Sequence, residues 1–227
     1  MSDLEIEALK LSLQVALAAV GFSLPIAILV AWVLARKTFP GKSFLDGFVH
    51  LPLILPPVVV GYLLLVGLGR NGIVGSFLFD TFGLTFAFTW KGAAVAAAVM
   101  AFPLMVRAIR LSLESVDQGL EQAARTLGAN PLRVFATVTL PLASPGILTG
   151  AILGFARSLG EFGATITFVS NIPGETRTLP IALYTLTQIP GGEAGAFRLV
   201  VISVIVAFAA LLVSEMMARR LKSRLGG

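Results

Sequence analysis

Arg157 and Glu161 stand four residues apart in a run, Leu142 to Val169, that holds no other charge. On a helix this spacing puts both side chains on one face, within reach of each other. An ionisable pair inside an apolar run is costly and turns toward a bundle interior or a water-filled path. Two readings stay open: an internal bridge that joins helices, or the lining of a route for a charged solute. Thr165, Thr167, Ser170 and Asn171 follow, and their hydroxyl and amide donors suit an anion. Glu161 would repel an anion unless Arg157 neutralised it, which fits the bridge.

Little else in the chain suits bond-making chemistry. There is no cysteine, which removes disulfides, thiolate metal sites and cysteine nucleophiles, and the single histidine, His50, cannot build a metal centre by itself. No catalytic residue, metal ligand or cofactor is expected. Gly41-Lys42-Ser43 has the ending of a phosphate-binding loop, but that loop needs a glycine five positions before its last glycine, where Arg36 stands. It also follows an apolar run instead of a strand, so this chain binds no ATP.

The elements that must carry the pair are set by hydropathy. Of 227 residues 56% are hydrophobic and 13% charged, with a mean hydropathy of +0.92; a soluble domain carries about 25% charged residues. A spanning helix needs roughly 20 apolar residues. Five runs qualify: Ala8 to Ala35, Val49 to Leu68, Gly92 to Leu111, Leu142 to Val169 and Leu199 to Met217. Ile73 to Phe88 reads as a sixth span or as an interfacial helix, and Ile181 to Ile189 is shorter still. With no internal repeat or low-complexity tract, residues 1–227 read as one transmembrane domain. The acidic start (Asp3, Glu5, Glu7) lacks a basic leader region, so the first run reads as a retained span.

Basic residues orient these spans. Arg36, Lys37 and Lys42 follow the first, Arg107, Arg110, Arg125 and Arg133 the third, and Arg219, Arg220, Lys222 and Arg224 the fifth. The alternate loops hold only Lys10, Arg70, Lys91, Arg177 and Arg198. Lys/Arg-rich loops stay cytoplasmic, which puts the N-terminus outside and the C-terminus inside. The net charge of +5 is explained by topology, so no nucleic-acid partner is expected. Pro25, Pro52, Pro56, Pro57 and Pro103 fall inside spans, where bundled helices tolerate them. Gly150 and Gly154 permit a close helix approach, or are a common small-residue pattern with no such role.

The long cytoplasmic connection, about residues 115–141, contains Glu121-Gln122-Ala123-Ala124-Arg125-Thr126-Leu127-Gly128. Leu120, Ala123, Ala124 and Leu127 make one apolar face. Asp117 suits the N-cap, Gly128 a left-handed end, and Asn130-Pro131 the start of a second helix to Val138. The pair reads as an ordinary helical loop or as a docking element for a soluble partner. A helix-turn-helix lacks room for its three-helix core.

From Gln122 to Pro141 the segment resembles the loop signature of ABC importer permeases, with Ala123, Ala124, Gly128, Val138, Leu140 and Pro141 at matching positions. Gln122 holds the usual glutamate position and Glu121 precedes it. The run FARSLGEFGATITFVSNIPGETRTLP is similar to molybdate permease subunits, and sulfate permeases carry a related pattern. The resemblance implies an all-α membrane protein of the ABC type I importer permease fold, with five or six transmembrane helices. It implies that Glu121, Gln122, Ala123, Ala124, Gly128, Leu140 and Pro141 couple to a separate ATPase subunit. It further implies two ATPase copies, an extracytoplasmic molybdate-binding protein, a permease homodimer in lipid, and the bacterial cytoplasmic (inner) membrane. Tungstate or sulfate/thiosulfate transport is the alternative within the family; a self-sufficient channel or secondary carrier is the alternative outside it.

Overall fold

The computed structural model describes residues 2–225, with the side chains of 211, 214, 215 and 217–225 outside the described set. The orienting residues Arg219, Arg220, Lys222 and Arg224 therefore lie outside the described side chains. Helices make up most of the chain: α1 (Asp3–Arg36), α2 (Lys42–Ile54), α3 (Pro57–Leu68), α4 (Ile73–Phe82), α5 (Trp90–Ser115), α6 (Gln118–Thr126), α7 (Pro131–Leu142), α8 (Ser144–Leu159), α9 (Gly163–Val169), α10 (Leu179–Thr187) and α11 (Glu193–Leu225).

The packing reverses the logic of a soluble core. On α1 the small residues Ala16, Ala19, Ser23, Ala27 and Ala31 recur at three- and four-residue steps and are buried. Leu17, Phe22 and Leu29 on the same helix are 63%, 80% and 58% exposed. Against lipid a large apolar side chain loses nothing, whereas small residues let helix backbones close on each other. Ala93, Ala94, Ala96, Ala97 and Ala101 do the same on α5. α5 is thereby wrapped by α1, α8 and α9. A Cβ on Gly154 would lie 2.6 Å from Met105 Sδ, and one on Gly150 would lie 3.0 Å from Ile109 Cγ1. The Gly150/Gly154 pair thus serves contact between α8 and α5 within the chain.

Among the described residues, three helices are long and apolar enough to cross unbroken: α1, α5 and the Glu193–Ala210 part of α11. Two bent pairs raise the number to five. Val49 to Leu68, expected as one span, is broken between α2 and α3 by 113°. The cause is Pro56-Pro57, because a residue preceding proline avoids helical ψ: Leu55 and Pro56 take ψ of 143° and 133°. Leu142 to Val169, also expected to be continuous, is interrupted twice. α7 and α8 meet at 68° near Ala143, and Gly160 to Phe162 separates α8 from α9. α4 has 10 residues, about 15 Å or half the hydrocarbon thickness, so this helix supplies no sixth span. α10 is short as well; it packs on α1 and α11, and its Leu179 amide donates to Ser12 Oγ at 2.7 Å.

α7 runs past the expected Val138 to Leu142, with a π-turn over Phe135–Thr139. Pro141 has no N–H, and its ring clashes with the carbonyl four residues back in a regular helix; the wider turn relieves that conflict.

Polar ties mark the two ends of the bundle. At one end Arg36, Asp46, Arg110, Glu114 and Glu121 form ion pairs of 2.8–3.0 Å. At the other, Glu5 accepts from Arg198 Nε at 2.8 Å, and Glu175 accepts the Trp90 amide at 3.2 Å.

Candidate functional site

Two places carry the sequence-predicted site residues. The first is the turn of α6 and α7. Asp117 Oδ1 accepts the Gly119 amide at 2.8 Å and opens α6. Gly128 closes it at φ +86°, a left-handed conformation that costs glycine little. Asn130 Oδ1 then accepts the Arg133 amide at 2.8 Å, with Pro131 as the first helical residue. Every cap is local, so the ends of the two helices are set by their own sequence.

The face this turn presents is apolar and uncovered. Leu120, Leu127 and Leu132 are 49%, 88% and 76% exposed, and Gln122 and Ala123 are exposed beside them. Ala124 and Leu140 are half-buried and Pro141 is exposed. Glu121, grouped by sequence with the contact residues, points the other way. It is the one buried side chain of α6. Its Oε1 lies 2.9 Å from Arg36 Nη2 and accepts Thr139 Oγ1 at 2.8 Å. Arg36 Nη2 also donates to the Val116 carbonyl at 3.1 Å, at the end of α5. Sequence reasoning treats Arg36 as a topology marker and Thr139 as loop. Arg36 and Glu121 are 85 positions apart, so no local spacing announces them.

The second place is the break in the fourth predicted span. Arg157 Nη1 lies 2.6 Å from Glu161 Oε2, the carboxylate 2% exposed and the guanidinium side chain 27%. Glu161 Oε1 accepts the Ala164 amide at 2.8 Å. One carboxylate therefore pairs with the last turn of α8 and satisfies an open N–H in the first turn of α9. That geometry is what a broken helix needs, and it is invisible without knowing that the span breaks.

The polar residues beyond do not converge. Thr165 is buried, and Thr167 Oγ1 donates to the Gly163 carbonyl at 2.8 Å. Asn171 donates to Thr185 Oγ1 at 2.9 Å and accepts Arg177 Nε at 2.7 Å, which ties the loop after α9 to α10. Ser170 is exposed, at φ +63°. Of these six, Glu161 and Thr165 are buried, Arg157, Thr167 and Asn171 are half-buried, and Ser170 is exposed.

Residues 8–224 match the family described as "Binding-protein-dependent transport system inner membrane component". Over 226 residues, 100% of this chain and 99% of the other, the sequence is 65% identical to the "Molybdenum transport system permease protein ModB" of Escherichia coli (strain K12). The protein of the same name from Haemophilus influenzae is 60% identical over 223 residues, 98% of this chain and 97% of its own. Among solved structures, a chain of the MetNI methionine ABC transporter in an inward facing conformation is similar with a TM-score of 0.77, covering 97% of this chain and 99% of that one. At 18% identity this last likeness concerns the fold, that of an ABC importer permease.

Proposed function

We propose how the chain works from one premise: it belongs to the family of binding-protein-dependent transport system inner membrane components. It is the permease subunit of an ABC importer that carries molybdate across the membrane. Two copies form the passage between them, a separate ATPase subunit docks on each copy's α6–α7 turn, and an extracytoplasmic binding protein delivers the anion. The N-terminus faces outward, and the Arg36–Thr139 end faces the cytoplasm.

The observation that carries this reading is the docking turn. A helix pair that stands capped at both ends, with three leucines in the open and a carboxylate as the buried residue of α6, is built to be gripped from below. Full-length similarity to molybdenum permeases supports the choice of anion. A divalent oxyanion cannot enter hydrocarbon bare, since the desolvation penalty for an isolated ion is very large. The permease must offer a polar path that opens to one side at a time, driven by movement of the docked motors. Arg157 and Glu161 hold the break in the fourth span while it moves, and substrate choice is left to the binding protein.

Reconstitution of the chain with its ATPase and binding protein in vesicles tests this. Molybdate uptake should need ATP on the ATPase side and should exceed uptake of sulfate offered in the same way. Equal uptake without ATP would make the chain a self-sufficient carrier, and preferential sulfate uptake would overturn the choice of anion.

A further inference from the structure

The docking helix is fastened to the membrane helices in an unusual way. Its apolar residues face out, and its buried attachment is Glu121. The carboxylate meets Arg36, the last residue of α1, and Thr139, in the π-turn of α7. Arg36 in turn donates to the carbonyl of Val116, which caps α5. Four segments therefore converge on one buried cluster, with the Arg36 and Glu121 side chains 9% and 11% exposed. An apolar contact slides when pushed. A buried ion pair with a shared hydrogen bond does not, because any separation strands a charge in low dielectric. The π-turn adds a second feature, since such turns interrupt the regular helical ladder and recur at functional sites.

We propose that Arg36, Glu121 and Thr139 form a clasp that passes displacement of α6 to α1 and α5 together, with the π-turn of α7 as the compliant element. They are positioning residues: none needs to touch the ATPase. The proposal rests on the reading that α6 docks on that subunit. Force applied at Leu120 and Leu127 reaches the bundle along the backbone at both ends of α6, through Val116–Asp117 and through Leu127–Asn130 into α7, and across the Glu121 carboxylate. With the carboxylate removed, α6 pivots on its two backbone links, and the motor's stroke is spent in the turn.

The test uses the assembled transporter with spin labels at Gln118→Cys on α6 and Leu29→Cys on α1, both exposed sites in a chain with no native cysteine. In the otherwise native chain the α6–α1 distance should stay constant between nucleotide-free and ATP-bound states. In Thr139→Val, Arg36→Met and Glu121→Ala it should broaden and shift with nucleotide, while the ATPase still co-purifies. ATP consumed per molybdate imported should rise about tenfold, the size of a typical coupling energy. Arg36→Met combined with Glu121→Ala should be no worse than either alone. Thr139→Val removes a single hydroxyl and keeps the test open where the charge variants do not fold. A constant distance in Thr139→Val, or a nucleotide-dependent one in the native clasp, overturns the proposal. So does loss of the ATPase from Glu121→Ala alone, which would make Glu121 an interface contact. Failure of the unmodified chain to retain any ATPase would instead overturn the docking reading.

Discussion

Removing Arg157 would leave the Glu161 carboxylate, 2% exposed, without its cation inside the bundle. Breaking one side of such a pair costs about 3–5 kcal/mol, so Arg157→Met should lower the thermal midpoint of the detergent-solubilised transporter sharply. Glu161→Gln keeps an acceptor for the Ala164 amide and leaves a guanidinium, 27% exposed, that can reach toward water; its loss should be less than half as large. Unchanged midpoints with an altered anion preference would move the pair from the frame to the route. Glu5, at the other end of the bundle, responds to acid. The Arg198 guanidinium, and after it the Ser2 amide, hold its carboxyl below its ordinary value of 4.5. Because the folded pKa lies below the unfolded one, the tie between α1 and α11 is complete above that ordinary value and is lost as pH falls through the lowered one. Arg198→Gln should therefore move the acid loss of amide protection in the first turns of α1 to higher pH, as read by hydrogen exchange.

Among the elements, the α6–α7 turn depends on one backbone angle. Gly128 sits at φ +86°, and a Cβ placed on it would meet nothing within 4 Å, so packing does not forbid a side chain there. Only the left-handed backbone does, at roughly 1–2 kcal/mol for an ordinary residue. Gly128→Val should weaken retention of the ATPase, and Gly128→Asn, which tolerates that conformation, should largely preserve it. Equal retention by both variants would mean the turn's geometry is irrelevant to docking. The ends of this turn were legible in the sequence because Asp117, Gly128 and Asn130-Pro131 act on their immediate neighbours. The breaks in the second and fourth spans were not, since hydropathy registers how apolar a run is and not its direction. Pro25 and Pro103 sit inside unbroken helices while Pro56-Pro57 turns the chain by 113°. A single proline is carried within its helix, whereas two in succession push both Leu55 and Pro56 out of helical ψ; the direction the chain then takes is a matter of tertiary packing, which no local window contains. The Arg36–Glu121 tie was hidden for the same reason, its partners being brought together by α1 and α5 running side by side.

For the whole molecule, the property to test is which end of the bundle faces the cytoplasm, and the fold sharpens the question by sorting its polar ties into two ends. Arg36, Val116, Glu121 and Thr139 meet at one. Glu5 with Arg198, Ser12 with Leu179 and Glu175 with Trp90 meet at the other. α1 has 34 residues, about 51 Å at the helical rise, against roughly 30 Å of hydrocarbon. Both of its ends therefore reach past the apolar layer, and each cluster belongs to a different water phase. Segments rich in Lys and Arg are retained on the cytoplasmic side, and Arg36, Lys37, Lys42, Arg125 and Arg133 all lie at the Glu121 end. In intact spheroplasts, a membrane-impermeant maleimide should label Asp3→Cys and Pro173→Cys but should reach Lys37→Cys and Gln118→Cys only after the membrane is opened. The absence of native cysteine makes each signal attributable to one site. The reverse pattern would place the docking turn outside, beyond the reach of cytoplasmic ATP, and no ATPase could then work the α6 helix. Because the four sites come in pairs from each end, labelling of one pair fixes the expected state of the other, and a mixed result would contradict the two-ended bundle itself.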